Sequence, residues 1–178
     1  MTEFLFPDNT VLCNFGAVDR LDLLKSVLDG RGRWTEAVAY EAYRSSRFIA
    51  PLTTLLTDGV LGEAIELTEE ADVRNVEHLR RRVFGGPEDK PLRHLGEAQT
   101  CYLIQSWDEF DGSWWISDDK DSLRYARGQG ITTLETIDLV RIAVTNGDID
   151  ADEAFALMTD MTVHKRKLQM PSSADDLC

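Results

Sequence analysis

Long apolar runs are missing from this chain of 178 residues. Nothing in it approaches the roughly eighteen consecutive apolar residues of a membrane-spanning helix, so no span is expected. It does not open on a basic stretch followed by an apolar one, so no secretory leader is expected either. Cysteine is scarce: Cys13, Cys101 and Cys178 are odd in number and form no CxxC spacing. That argues against a disulfide framework or a zinc knuckle and for a reducing, cytoplasmic setting. Cys178 is the last residue rather than the fourth from the end, so no prenylation site is expected. His78, His94 and His164 are isolated, and only His94 and Glu97 stand at a spacing that shares a helix face, too little for a zinc site. A GxxxxGK[ST] loop is absent, as is a serine paired with a nearby histidine, which argues against nucleotide hydrolysis and nucleophilic catalysis by those routes.

What remains is a globular composition, 43% hydrophobic and 29% charged, with length enough for one domain and a sizeable core. The net charge of −13 counts against a grip on nucleic acid through broad electrostatics. Basic residues are grouped, however: Arg80, Arg81 and Arg82 stand together, as do Lys165, Arg166 and Lys167, so a local basic edge is compatible with an acidic protein.

Periodicity and punctuation divide the chain. Residues 7–15 form an apolar, partly β-branched run with Asp8 at its start, which predicts a strand buried on both faces. Val18, Leu21, Leu24 and Leu28 predict a helix that Gly30 ends, and Thr35 is an N-cap for a helix over 36–46 that carries Glu41. A short helix around Leu52, Leu55 and Leu56, a strand over 64–67 and a helix over 69–84 follow, then a polar loop over 86–93. A helix over 95–106 has Glu97 in its first turn. Trp114, Trp115 and Ile116 predict a buried strand with Ser117, Asp118 and Asp119 at its carboxyl end, then a helix over 119–127 and a strand over 131–134. Helices over 136–145 and 150–161 close the domain. The expected fold is α/β, a mainly parallel sheet of four to five short strands flanked by helices in three layers. It occupies residues 1–161, with 162–178 as a basic and polar tail.

Ligand sites in such sheets lie beyond the carboxyl ends of the strands. Asp8, Glu41, Glu97 and the Asp118–Asp119 pair are the acids able to reach that rim. Two carboxylates about 4 Å apart repel by roughly 4 kcal/mol at an effective dielectric near 20. Such a pocket therefore needs bound protons or a divalent cation, and oxygen-only ligands favour Mg²⁺, with Mn²⁺ as substitute. With 32 acids in the chain, the competing reading is scattered helix caps and exposed helix residues.

The segments Asp8-Asn9-Thr10-Val11-Leu12, Trp34-Thr35 with Val38 and Glu41, Leu95-Gly96-Glu97-Ala98, and Ile116-Ser117-Asp118-Asp119 with Arg124, Tyr125 and Ala126 come in a definite order. In that order they resemble the PIN-domain ribonucleases, a family that includes many toxins of toxin–antitoxin pairs. The resemblance spans residues 4–145. It implies a PIN-like fold and metal-dependent hydrolysis of RNA phosphodiesters, yielding a 5′-phosphate. It further implies that Asp8, Glu41, Glu97 and one of Asp118 and Asp119 are catalytic, metal-binding acids. Thr10 and Ser117 would orient ligands or water behind them. The expected partner is RNA, with an antitoxin protein and a second copy of the chain as further candidates, and no membrane. A non-catalytic binding module on the same fold is the alternative. A phosphatase with Asp8 as nucleophile is disfavoured, because Thr10 stands where that chemistry wants a second aspartate.

Overall fold

Asp8 lies where the chain passes from strand to helix. The computed structural model describes residues 3–178. In it the first strand, β1, is only Leu5–Pro7, and helix α1 runs over Asn9–Ala17, which corrects the strand expected over residues 7–15. The Asp8 carboxylate accepts from the Val11 backbone N–H at 2.9 Å and so caps α1. Val11 through Gly16 are all buried. A helix with no solvent face has no polar stripe, so its sequence looks like that of a buried strand, and only the cap tells them apart.

Gly16 is where α1 meets the segment 49–52: a Cβ there would stand 2.9 Å from Leu52 Cδ2 and 3.1 Å from Ile49 Cγ2. Gly16→Ala is therefore expected to cost about 1–3 kcal/mol despite its better helix propensity. Urea denaturation measures it, and a variant as stable as the parent would show that the contact yields freely.

Helix α2 is Leu21–Leu28 and ends on Asp29 and Gly30. Helix α3, Glu36–Ser45, is capped by Thr35, whose Oγ1 accepts from the Val38 N–H. Then come α4 (Leu52–Leu55), α5 (Glu70–Arg82) and α6 (Leu95–Ser106). Strand β2 (Trp114–Ile116), α7 (Lys120–Gly128), β3 (Thr132–Leu134), α8 (Thr136–Asn146) and α9 (Ala151–Val163) complete the order.

The sheet is parallel, in the order β1-β2-β3, with Phe6 opposite Trp115 and Trp115 opposite Thr133. Among the described residues three strands stand where four to five were expected. Beyond β1 the pairing shrinks to single bridges, Leu5 with Gly32 and Thr35 with Ile65, so the strand expected over 64–67 is one bridging residue. Pro7 has no N–H to offer a neighbour and Asp8 already turns into α1, which leaves β1 too short to template more.

Side chains alternate across the sheet. Leu5 and Ile116 join a core with α1, α2, α8 and α9, while Phe6 and Trp115 join a second core with α5 and α6. Helices thus cover both faces, as α/β packing requires. Trp115 is fully buried and meets Phe84 edge-on, so its role is to fill the core. The end of the chain, expected as a tail, folds back: a 3-10 turn over Ala174–Leu177 buries Leu177 in the first core. Among the described residues no helix is long and apolar enough to cross a membrane.

Candidate active site

The parallel ladder carries three chain segments to one rim. Asp8 N–H donates to the Ile116 carbonyl at 2.9 Å, and Ser117 N–H donates to the Leu134 carbonyl at 3.0 Å. Asp8, Ser117 with Asp118, and Glu135 with Thr136 therefore follow the carboxyl ends of β1, β2 and β3 side by side. Ser117, fully buried, donates its hydroxyl to Asp8 Oδ2 and accepts from the Asp119 N–H at 3.1 Å. It links the first acid to the start of α7. Thr10 lies in the first turn of α1, half-buried.

The Asp118–Asp119 pair divides into two roles. Asp118 turns inward: its Oδ1 accepts from the Thr136 N–H at 2.9 Å, and its Oδ2 accepts from Thr136 Oγ1 at 2.6 Å and Asn14 Nδ2 at 2.7 Å. Asp119 is exposed and caps α7, accepting from the Ser122 N–H at 2.7 Å. Asn14 in turn accepts from Arg166 Nε at 2.9 Å, so one residue of the basic group near the chain end is tied to the site. Asn14 and Thr136 were not anticipated as site residues. An asparagine inside the apolar run 10–16 was the available signal, because a buried amide needs partners.

Glu41 and Glu97 approach Asp8 from two helices. Gly96 makes this possible: a Cβ there would press on Val38 Cγ2 at 3.0 Å, and both Glu41 carboxylate oxygens lie 3.7 Å from that point. Glu97, one residue on, is held by His94, whose Nδ1 is 3.0 Å from its Oε1. The acids feel one another. Burial pushes Asp8 up to about 7, with Asp118 and Glu97 adding to the rise against the hydrogen bonds from Ser117 and Val11. Burial likewise pushes Glu41 up to about 8, with Glu97 and Asp8 contributing and Arg44 offsetting a little. Asp118 is also raised by burial, against its bonds to Thr136 and Asn14.

These are the residues that could hold a metal. Among the described residues no three His, Cys, Asp or Glu side chains are gathered tightly enough to hold an ion as they stand. The donor set nonetheless fits a hard divalent cation in kind: the acids offer only oxygen, and burial together with mutual repulsion lifts Asp8 and Glu41 into the neutral range, so that they resist ionising together. A dication is the chemistry that would let them ionise together.

Beside the acids the surface opens into a cavity of about 560 Å³, whose lining includes Glu41, Glu97, Arg44, Lys90, Arg93 and Tyr40. Adjoining it is a second hollow of about 410 Å³, lined by Glu36, Ala37 and Leu95 and sharing Tyr40, Glu41 and Leu92. Comparison of the chain with protein-family models, with curated proteins and with solved structures finds no match.

Proposed function

We propose that the chain is a Mg²⁺- or Mn²⁺-dependent endoribonuclease of the PIN type, acting as the toxin of a toxin–antitoxin pair. What supports the nuclease reading is that Asp8 stands at the carboxyl end of β1 while Glu41 and Glu97 line one cavity, close enough to Asp8 that, beyond burial, Glu97 raises the pKa of Asp8 and of Glu41, and Asp8 raises that of Glu41. The toxin role rests on the family resemblance alone.

Asp8, Glu41 and Glu97 are the residues that would hold the ion. When bound, Mg²⁺ supplies a polarised phosphodiester oxygen and a coordinated water of lowered pKa for in-line attack on phosphorus. Ser117 orients Asp8 through its hydroxyl, and His94 orients Glu97. Asp118, with Asn14 and Thr136, fixes the strand-end backbone on which these groups stand.

Incubation of the purified chain with single-stranded RNA and Mg²⁺ or Mn²⁺ is expected to give metal-dependent cleavage. Asp8→Asn keeps the cap, since asparagine caps as well as aspartate, but removes the ionisable ligand, and it is expected to lower the rate at least about a hundredfold. Equal cleavage by parent and variant would end the assignment of Asp8.

The helix caps that two of the acids make favour a second reading. In it the fold is a non-catalytic binding module and the acids serve structure, as Asp8 does in capping α1 and Asp119 in capping α7. Calorimetric titration of the folded chain with Mn²⁺ separates the two: heat of binding lost in Asp8→Asn supports the nuclease, and no heat at millimolar metal supports the module.

A further inference from the structure

Arg80 belongs to the basic group 80–82, yet it is fully buried, at 1% exposure. Its guanidinium forms a fork on Glu77, with Nε and Nη2 each 2.7 Å from a carboxylate oxygen. The remaining nitrogen, Nη1, donates to the backbone carbonyls of Pro87 at 3.1 Å, Lys90 at 3.1 Å and Arg93 at 3.3 Å. Gly86 lets the loop close on the guanidinium, because a Cβ there would stand 2.6 Å from Nη1. One buried cation therefore shapes the whole loop 86–93 from below. The loop's outer side carries Lys90, Leu92 and Arg93, all exposed, and these face the cavity that Glu41 and Glu97 also line. Arg44 and Tyr40 come to the same cavity from α3, Tyr40 being 47% exposed.

We infer that the loop 86–93, pinned by Arg80, is the wall along which the phosphate backbone of a single-stranded RNA lies, with Lys90, Arg93 and Arg44 meeting phosphates and a base entering the apolar hollow between Tyr40 and Leu92. This rests on the nuclease reading for the identity of the polymer, but its residues are different ones. Three cations bordering two acids suit a polyanion that bridges from the wall to the acids, and an acidic protein surface would have no use for the hollow. A nucleobase offers the flat apolar face that Tyr40 stacks on. The wall also gives a chain of net charge −13 one local place where a polyanion is attracted rather than repelled.

The test is fluorescence anisotropy with a labelled single-stranded RNA of about twelve nucleotides, in EDTA to stop hydrolysis, between about 50 and 300 mM salt. The full chain is compared with Lys90→Ala/Arg93→Ala and with Tyr40→Ala. Losing two phosphate contacts is expected to flatten the salt dependence by about 1.4 in the slope of log affinity against log salt. Tyr40→Ala is expected to weaken binding by about fivefold or more with the slope unchanged. All three side chains are exposed, so circular dichroism should show the parent fold throughout. Mn²⁺ titration of the double variant should match the parent, since its acids are intact. A double variant with the parent's affinity and slope overturns the inference, as does a parent that binds no RNA, whether or not it captures an acidic protein instead. In either case retained Mn²⁺ binding leaves the metal site standing, so the two readings fail separately.

Discussion

Without metal, the chain is expected to lose stability steadily as pH rises from about 5 to about 8, and Mn²⁺ is expected to restore it. The ordinary value for an aspartate is 3.8, and burial lifts Asp8 to about 7 and Glu41, from 4.5, to about 8. The folded chain holds both protons more tightly than the unfolded chain does. Their protonated forms therefore favour the fold: the stabilisation is complete below about pH 4 and is lost as pH climbs through about 7 to 8. Both groups keep some contact with solvent and interact with each other, so the combined loss is on the order of 2–4 kcal/mol rather than the sum of two full shifts. For a chain of this size that corresponds to a fall in melting temperature of roughly 5–12 °C.

Asp8→Asn removes one of the two titrations. At about pH 8 the metal-free variant is expected to melt above the metal-free parent, while Mn²⁺ stabilises the parent and leaves the variant nearly unmoved. Thermal melts at several pH values, with and without Mn²⁺, measure all of this. A flat profile between pH 5 and 8, with the same Mn²⁺ response in both proteins, would show that Asp8 is neither strained by burial nor a ligand. The same substitution should thus cost activity and add stability, the usual sign of acids crowded for chemistry rather than for packing.

Arg80→Met is expected to be the most damaging single change outside the carboxyl site, at about 3 kcal/mol. Methionine fills much of the volume but leaves the Pro87, Lys90 and Arg93 carbonyls without their shared donor. The Pro87 and Lys90 carbonyls keep bonds from the Lys90 and Arg93 N–H groups, so most of the cost comes from breaking the ion pair of a buried guanidinium from one side and from loosening the loop it gathers. Glu77 moderates the loss, because it is 45% exposed and can return to water. Urea unfolding measures the change, and limited proteolysis should cut the loop 86–93 far faster in the variant. A loss below about 0.5 kcal/mol with an equally resistant loop would mean that the guanidinium holds nothing together.

Much of the helical framework was open to direct reading because caps and breakers are local. Thr35 before α3, Gly30 after α2 and the acids opening α5 act through neighbours in the chain, and so do the aromatic and β-branched residues of β2. The candidate acids were open to reading for a related reason. Glu41 stands on a helix face, Glu97 in a first turn and Asp118 after a strand, positions that local patterning reveals, whereas Asp8 was read as opening a strand and in fact follows one.

Elements and contacts that depend on burial or on distant partners were decided only in three dimensions. Residues 9–17 read as a strand although Asp8 caps them as a helix, because burial of Val11 through Gly16 erases the periodicity that separates the two. The sheet stops at three strands because Pro7 and the cap at Asp8 end β1 early. Asp118 and Asp119 differ although they are adjacent, since only Asp118 faces Asn14, 104 residues away in the chain. Arg80 is a buried clamp while its neighbour Arg81 pairs with Glu88 near the surface, a distinction set by which side of α5 each one occupies. Amino-acid order by itself determined where α3, α5 and α6 begin and which acids stand at their starts or on their faces. Packing alone determined which of those charges lose water, and with it which of them acquire altered acidity.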